Sequence, residues 1–150
     1  MYSATVLLTI PDGAFVPTNG CVCPGPTVSA VIGAPKDISP PHEGTVFSGD
    51  GETIVISPPA GYQGSVQLIY QLPDENYTLL GLAFDPVDGG VGQQEFPEYI
   101  VDRDPTGSQI TVTDALWSGG NGVSYRYGII VQQTASGLIG IIDPYIDTEN

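Results

Sequence analysis

The chain reads as an all-β protein, an antiparallel β-sandwich of about ten short strands. Three observations predict this. The composition sets 20 glycines and 14 prolines among many Val, Ile, Thr and Tyr, with few helix formers, the mixture expected of short strands and tight turns. Apolar residues recur with period two or in short continuous runs. Turn chemistry separates the runs: Pro11-Asp12-Gly13, Ser48-Gly49-Asp50-Gly51, Pro58-Pro59-Ala60-Gly61, Pro73-Asp74-Glu75-Asn76, Asp88-Gly89-Gly90 and Asp104-Pro105-Thr106-Gly107.

The expected strands, in order, are 3–10 (SATVLLTI), 27–33 (TVSAVIG), 44–47 (GTVF), 53–57 (TIVIS), 65–72 (SVQLIYQL), 77–84 (YTLLGLAF), 99–102 (YIVD), 109–114 (QITVTD), 124–132 (SYRYGIIVQ) and 138–142 (LIGII). Each is rich in β-branched or aromatic residues and bounded by Gly, Pro, Asp or Ser. The Pro-rich stretches 12–26 and 35–43 lack periodicity and read as ordered surface loops or edge covers, because proline removes a ladder donor. At 150 residues the chain can bury roughly 70% of its extended surface. No composition break divides it, so one domain over 1–150 is expected.

Lys36, Arg103 and Arg126 are the only basic residues against 17 Asp and Glu, for a formal net charge of -14. That balance disfavours nucleic acid and anionic membrane as partners. It comes from missing bases rather than excess acids, since charged residues are 13%, and the carboxylates form no run of the kind a DNA mimic would need. No stretch approaches the length needed to span a bilayer. The N-terminus has no basic leader and fits either a cytoplasmic protein or a mature chain, secreted, whose leader has been removed.

The richest segment is 108–133, in which an alternating strand enters a Gly-rich turn and a second alternating strand follows. Within it, ITVTDALWSGGNGVSYRY resembles the strand corner of immunoglobulin-like domains. The resemblance implies that Tyr125 is the corner tyrosine, its hydroxyl bonded back to the turn, and that Tyr127 stands where antibody domains place a cysteine. Cys21 and Cys23 are not spaced as an intersheet pair and Trp117 lies in the turn, so the implication is an immunoglobulin-like sandwich without the disulfide. It carries no function. A second regularity is an echo, Leu80-Gly81-Leu82-Ala83-Phe84-Asp85-Pro86-Val87-Asp88 against Ile139-Gly140-Ile141-Ile142-Asp143-Pro144-Tyr145-Ile146-Asp147. With Glu95-Phe96-Pro97-Glu98 and Asp104-Pro105, the C-terminal half resembles the DP-EP family of small bacterial proteins, a likeness that brings no activity with it.

Chemistry has few places to reside. Asp85, Asp88, Asp143 and Asp147 could offer oxygens to Ca²⁺ at two strand ends, although Asp-Pro is also an ordinary strand-terminating turn. Cys21-Val22-Cys23 places two thiols about 6.6 Å apart on one side of an extended strand, ill suited to a relaxed disulfide. With His42, the sole histidine, they would make a Cys₂His metal set that lacks a fourth ligand. No G-x-S-x-G or phosphate loop occurs. Glu95 and Glu98 are a carboxylate pair whose separation decides whether an acidic cleft exists.

The expectation is therefore a non-enzymatic binding module without a cofactor, presenting sandwich-end loops to a protein or carbohydrate partner or to a second copy of itself. Trp117, Asn121 and Tyr125 are its contact residues. A calcium-binding or calcium-stabilised sandwich and an enzyme with an acidic cleft are the alternatives.

Overall fold

A computed structural model describes residues 1–15, 28, 30–41, 46–49, 53–86, 96, 98–102, 108–116, 123–142 and 145–148. Among these residues the chain forms strands and no helix: β1 (Tyr2–Thr9), β2 (Val31–Ile32), β3 (Lys36–Ser39), β4 (Phe47–Gly49), β5 (Thr53–Ile56), β6 (Val66–Leu72), β7 (Tyr77–Pro86), β8 (Glu98–Asp102), β9 (Ser108–Asp114), β10 (Val123–Gln133), β11 (Ile139–Ile142) and β12 (Tyr145–Thr148). The all-β sandwich expected from the alternation is what forms.

The strands divide into two sheets. The first runs β2-β1-β6-β9-β8, with β3 continuing the β2 side of β1. In the second, β10 is central. It pairs with β7 along one edge, and with β11 and β12 along the other. These last two keep a single register on β10, Gln132 opposite Ile139 at one end and Val123 opposite Thr148 at the other. They thus keep the register of a single strand on either side of residues 143–144. Beyond β12 come β5 and β4.

Two pairings depart from the antiparallel expectation: β1 with β6, and β12 with β5, are parallel. Each joins segments far apart in sequence, so no hairpin signal marks it. The Pro-rich stretch 35–43 contains β3, where Lys36 and Ser39 pair with Thr5 and Ser3 across a bulge. Asp37 lies there at φ 54, a left-handed conformation that Asp tolerates better than most residues. The reading as an edge cover thus becomes an irregular edge strand.

Alternation decides what faces the core. Val66, Leu68, Tyr70 and Leu72 of β6, with Ile110 and Val112 of β9 and Ala4, Val6 and Leu8 of β1, are buried. Opposite them lie Ile54 and Ile56 of β5, Leu79 of β7, and Tyr125, Tyr127, Ile129 and Val131 of β10. They form one continuous apolar cluster between the sheets. The outer positions of β6 and β9 carry Gln67, Gln71, Gln109 and Thr113, which bond across the strands: Gln67 Nε2 donates to Thr113 Oγ1 at 3.4 Å and Gln71 Nε2 to Gln109 Oε1 at 3.2 Å.

Two tyrosines cross the middle of the sandwich. Tyr70 of β6 donates its hydroxyl hydrogen bond to the hydroxyl of Tyr127 on β10 at 2.7 Å, with ring centroids 5.7 Å apart. Both are fully buried. Burial pushes both phenols well above the ordinary tyrosine range, because a phenolate there would lose its hydration. Tyr127 is the residue that the immunoglobulin-like resemblance sets in a cysteine's place, and here it carries a polar link between the two sheets.

Glycine is required at one position and closely fitted at a second. At Gly49 (φ 122), ending β4, a Cβ would overlap the Thr53 carbonyl oxygen of β5. At Gly128 a Cβ would lie 3.0 Å from Ile141 Cγ2, so β10 and β11 keep their outer face flat by omitting a side chain.

Candidate functional site

Of the expected contact residues, Trp117 and Asn121 lie outside the described residues. Tyr125 is in the core: it is fully buried and meets Phe96 edge to face, with centroids 4.9 Å apart. The role its position supports is packing, which seats Phe96 and the start of β8 against β10.

The described residue that prepares the Trp117 loop is Asp114, which the sequence reading passed over. Asp114 ends β9 and is 1% exposed, and its Oδ1 accepts the Leu116 N–H at 2.7 Å. Leu116 is held at φ 53, a left-handed turn that an unsupported leucine avoids. An Asp two residues before such a turn satisfies the amide and fixes the direction in which the chain leaves the sheet. The signal was available, because the alternation Ile110, Val112, Asp114 points the carboxylate inward.

Of the strand-end aspartates, Asp85 and Asp147 fall within described strands. Asp85 lies within β7, and its register partner on β10 is Arg126. Asp147 lies in β12, opposite Ser124 of β10 and Val55 of β5. By strand spacing the two backbones are on the order of 12 Å apart, and the neighbour of Asp85 in register is a cation rather than a second carboxylate. Asp88 and Asp143 lie outside the described residues, as do Cys21, Cys23, His42 and Glu95. Among the described residues no three His, Cys, Asp or Glu side chains gather as metal ligands. Among the described residues no helix is long and apolar enough to cross a membrane.

What the surface does offer is apolar. Tyr99 and Ile100 on β8 are 45% and 56% exposed, and Leu138 and Ile139 at the start of β11 are 40% and 46% exposed. Ile139 stands opposite Gln132 on β10, beside the pair Ile130 and Ile141. On β8, Tyr99 pairs in register with buried Val112, and its hydroxyl lies 3.4 Å from the position a Cβ on Gly81 of β7 would take. The ring thus leans toward β7 of the second sheet, while Ile100, opposite Thr111, belongs to the outer face.

The fold and this surface define a β-sandwich with exposed apolar residues on β8 and at β11 and a buried carboxylate that holds the turn at Leu116. No protein-family model, curated protein or solved structure matches the chain.

Proposed function

We propose that this chain is a non-catalytic binding module whose partner is a protein. The observation that carries the reading is the placement of large apolar side chains, Tyr99, Ile100, Leu138 and Ile139, on the surface of strands whose inner residues already fill a core. Tyr99 and Ile100 on β8 and Leu138 and Ile139 at β11 make two exposed pairs on different sheets, and each gains free energy when a partner covers it. Three of the four are aliphatic, which favours a protein over a carbohydrate, because a sugar's hydroxyls would be desolvated there without hydrogen-bond partners.

In the sequence Trp117 follows β9, whose end pairs with the start of β8 through Thr113 and Glu98. Aromatic residues at such places are frequent anchors of binding.

The test compares the wild-type chain with Trp117→Ala and Ile139→Asp in affinity capture. The reading expects captured proteins that disappear in at least one variant whose unfolding midpoint matches wild type. Equal capture by all three folded proteins would refute it.

A further inference from the structure

We infer that β8 is a docking edge that takes up an extended segment of a basic partner, adding it to the first sheet as a further strand. The inference rests on the binding-module reading and names the partner's chemistry. β8 lies at the end of its sheet: β9 pairs with it on one side, and no strand among the described residues lies on the other. A strand edge leaves backbone N–H and C=O groups able to pair with another chain, and proteins normally obstruct such edges.

The other outer strands among the described residues are obstructed; at β11, four residues long, the Ile141 carbonyl accepts the Val28 N–H at 2.9 Å. β2 and β3 are separated at Gly33-Ala34-Pro35 and bulged, with Lys36 on the edge and Asp37 at positive φ. β4 has three residues and ends in Gly49 at φ 122. β7 shifts register between its pairings with Ile130 and Val131 and ends in Pro86. β8 has none of these devices. It runs from Glu98 opposite Thr113 to Asp102 opposite Gln109 without a register shift, contains neither Lys nor Pro, and exposes Tyr99 and Ile100.

Charge selects the occupant. Glu98 and Asp102 stand at the two ends of β8, each two residues from Ile100. A second copy pairing antiparallel about Ile100 would set Glu98 against Asp102 at both ends. Like charges directly opposite destabilise a strand pair, and two chains of net charge -14 repel before they meet. A strand with an apolar residue opposite Ile100 and Lys or Arg two residues to either side would set basic residues at the register positions of Glu98 and Asp102. Backbone pairing then supplies affinity and the alternate side chains supply selection, the mode known as β-augmentation. The recognised pattern is basic-x-apolar-x-basic in an extended conformation.

The experiment uses the full chain and capped peptides of sequence Thr-Lys-Thr-Ile-Thr-Lys-Thr and Thr-Glu-Thr-Ile-Thr-Glu-Thr, with binding read by fluorescence anisotropy at low salt. The basic peptide is expected to bind saturably and the acidic one not at all. Reversing both charges with Glu98→Lys and Asp102→Lys should weaken the basic peptide roughly tenfold, the order expected for two exposed pairs. A docked strand uses one edge only, so of two basic peptides N-methylated at alternate sets of amides, one should lose binding and the other keep it.

Equal binding by basic and acidic peptides, or equal loss from both methylated forms, would overturn the docking mode. Binding unchanged by the charge reversal would place the peptide elsewhere and overturn the assignment to β8. Absence of binding up to millimolar peptide would also overturn it. In each of these cases the capture experiment on Trp117→Ala and Ile139→Asp still judges the binding module by itself. Dimerisation of the unreversed chain, abolished by Ile100→Asp, would replace the basic partner with a second copy.

Discussion

Removing one hydroxyl from the middle of the sandwich should cost more than its size suggests. In Tyr127→Phe the ring remains and fills the same volume, but the Tyr70 hydroxyl loses the oxygen that accepts its 2.7 Å hydrogen bond. Tyr70 is fully buried, so no water takes the acceptor's place without opening the core. A buried polar group deprived of its partner costs about 1–3 kcal/mol. For a chain of this length a loss of about 2 kcal/mol lowers the unfolding midpoint by roughly 4–8 °C. Tyr70→Phe should also destabilise, since it removes the same bond from the other side. The double variant should then cost clearly less than the sum of the two, because the Tyr70 hydroxyl that Tyr127→Phe leaves without its acceptor is itself removed. Thermal and urea unfolding followed by circular dichroism measure all four corners of the cycle. Additive losses, or a neutral Tyr127→Phe, would refute the claim that this bond links the sheets.

The same pair makes a prediction for pH. Burial raises both phenols above the ordinary value, whereas an unfolded tyrosine ionises near pH 10 (roughly). Their contribution is therefore complete below about pH 10 and falls as pH rises, by up to about 1.4 kcal/mol per pH unit for each group. Urea midpoints between roughly pH 9 and 11.5 should show this slope, reduced by one group's share in Tyr127→Phe. At Gly128, substitution by valine should cost about 1–3 kcal/mol by forcing Ile141 aside, and Ile141→Ala should recover part of it; a stable Gly128→Val would mean that β10 and β11 do not meet as described. With Arg126 as the register partner of Asp85 on β10, millimolar Ca²⁺ is expected to leave the midpoint within about 1 °C of its value in EDTA at fixed ionic strength, a negligible linkage effect. A rise of several degrees beyond that given by Mg²⁺ would establish a calcium site.

How much of this was legible beforehand follows from where the information resides. β6 and β9 emerge from local alternation almost to the residue, because one face of each is buried and the other bonds through Gln and Thr. β3 was hidden by its own chemistry: Lys36 and Asp37 sit among prolines, and their strand conformation comes from pairing with β1 rather than from propensity. β12 was hidden behind Asp143-Pro144, which reads as a stop, although β12 resumes the register that β11 holds on β10. The parallel joins of β1 to β6 and β12 to β5 are long-range and leave no local mark. The same holds for Tyr70 and Tyr127. Period two turns each of them inward, but only the packing of the sheets makes them partners. Exposure of Tyr99 and Ile100 was equally out of reach, since YIVD reads the same at the edge of a sheet as in its middle.

The most direct test of the binding edge is amide hydrogen exchange of the full chain with and without the basic peptide, resolved along β8. β8 should exchange faster than the neighbouring core strands β9 and β6 when the chain is alone, and should slow selectively when the peptide is bound. Exchange in β8 as slow as in β9 without peptide, or no added protection at saturating peptide, would contradict an open edge that takes up a strand.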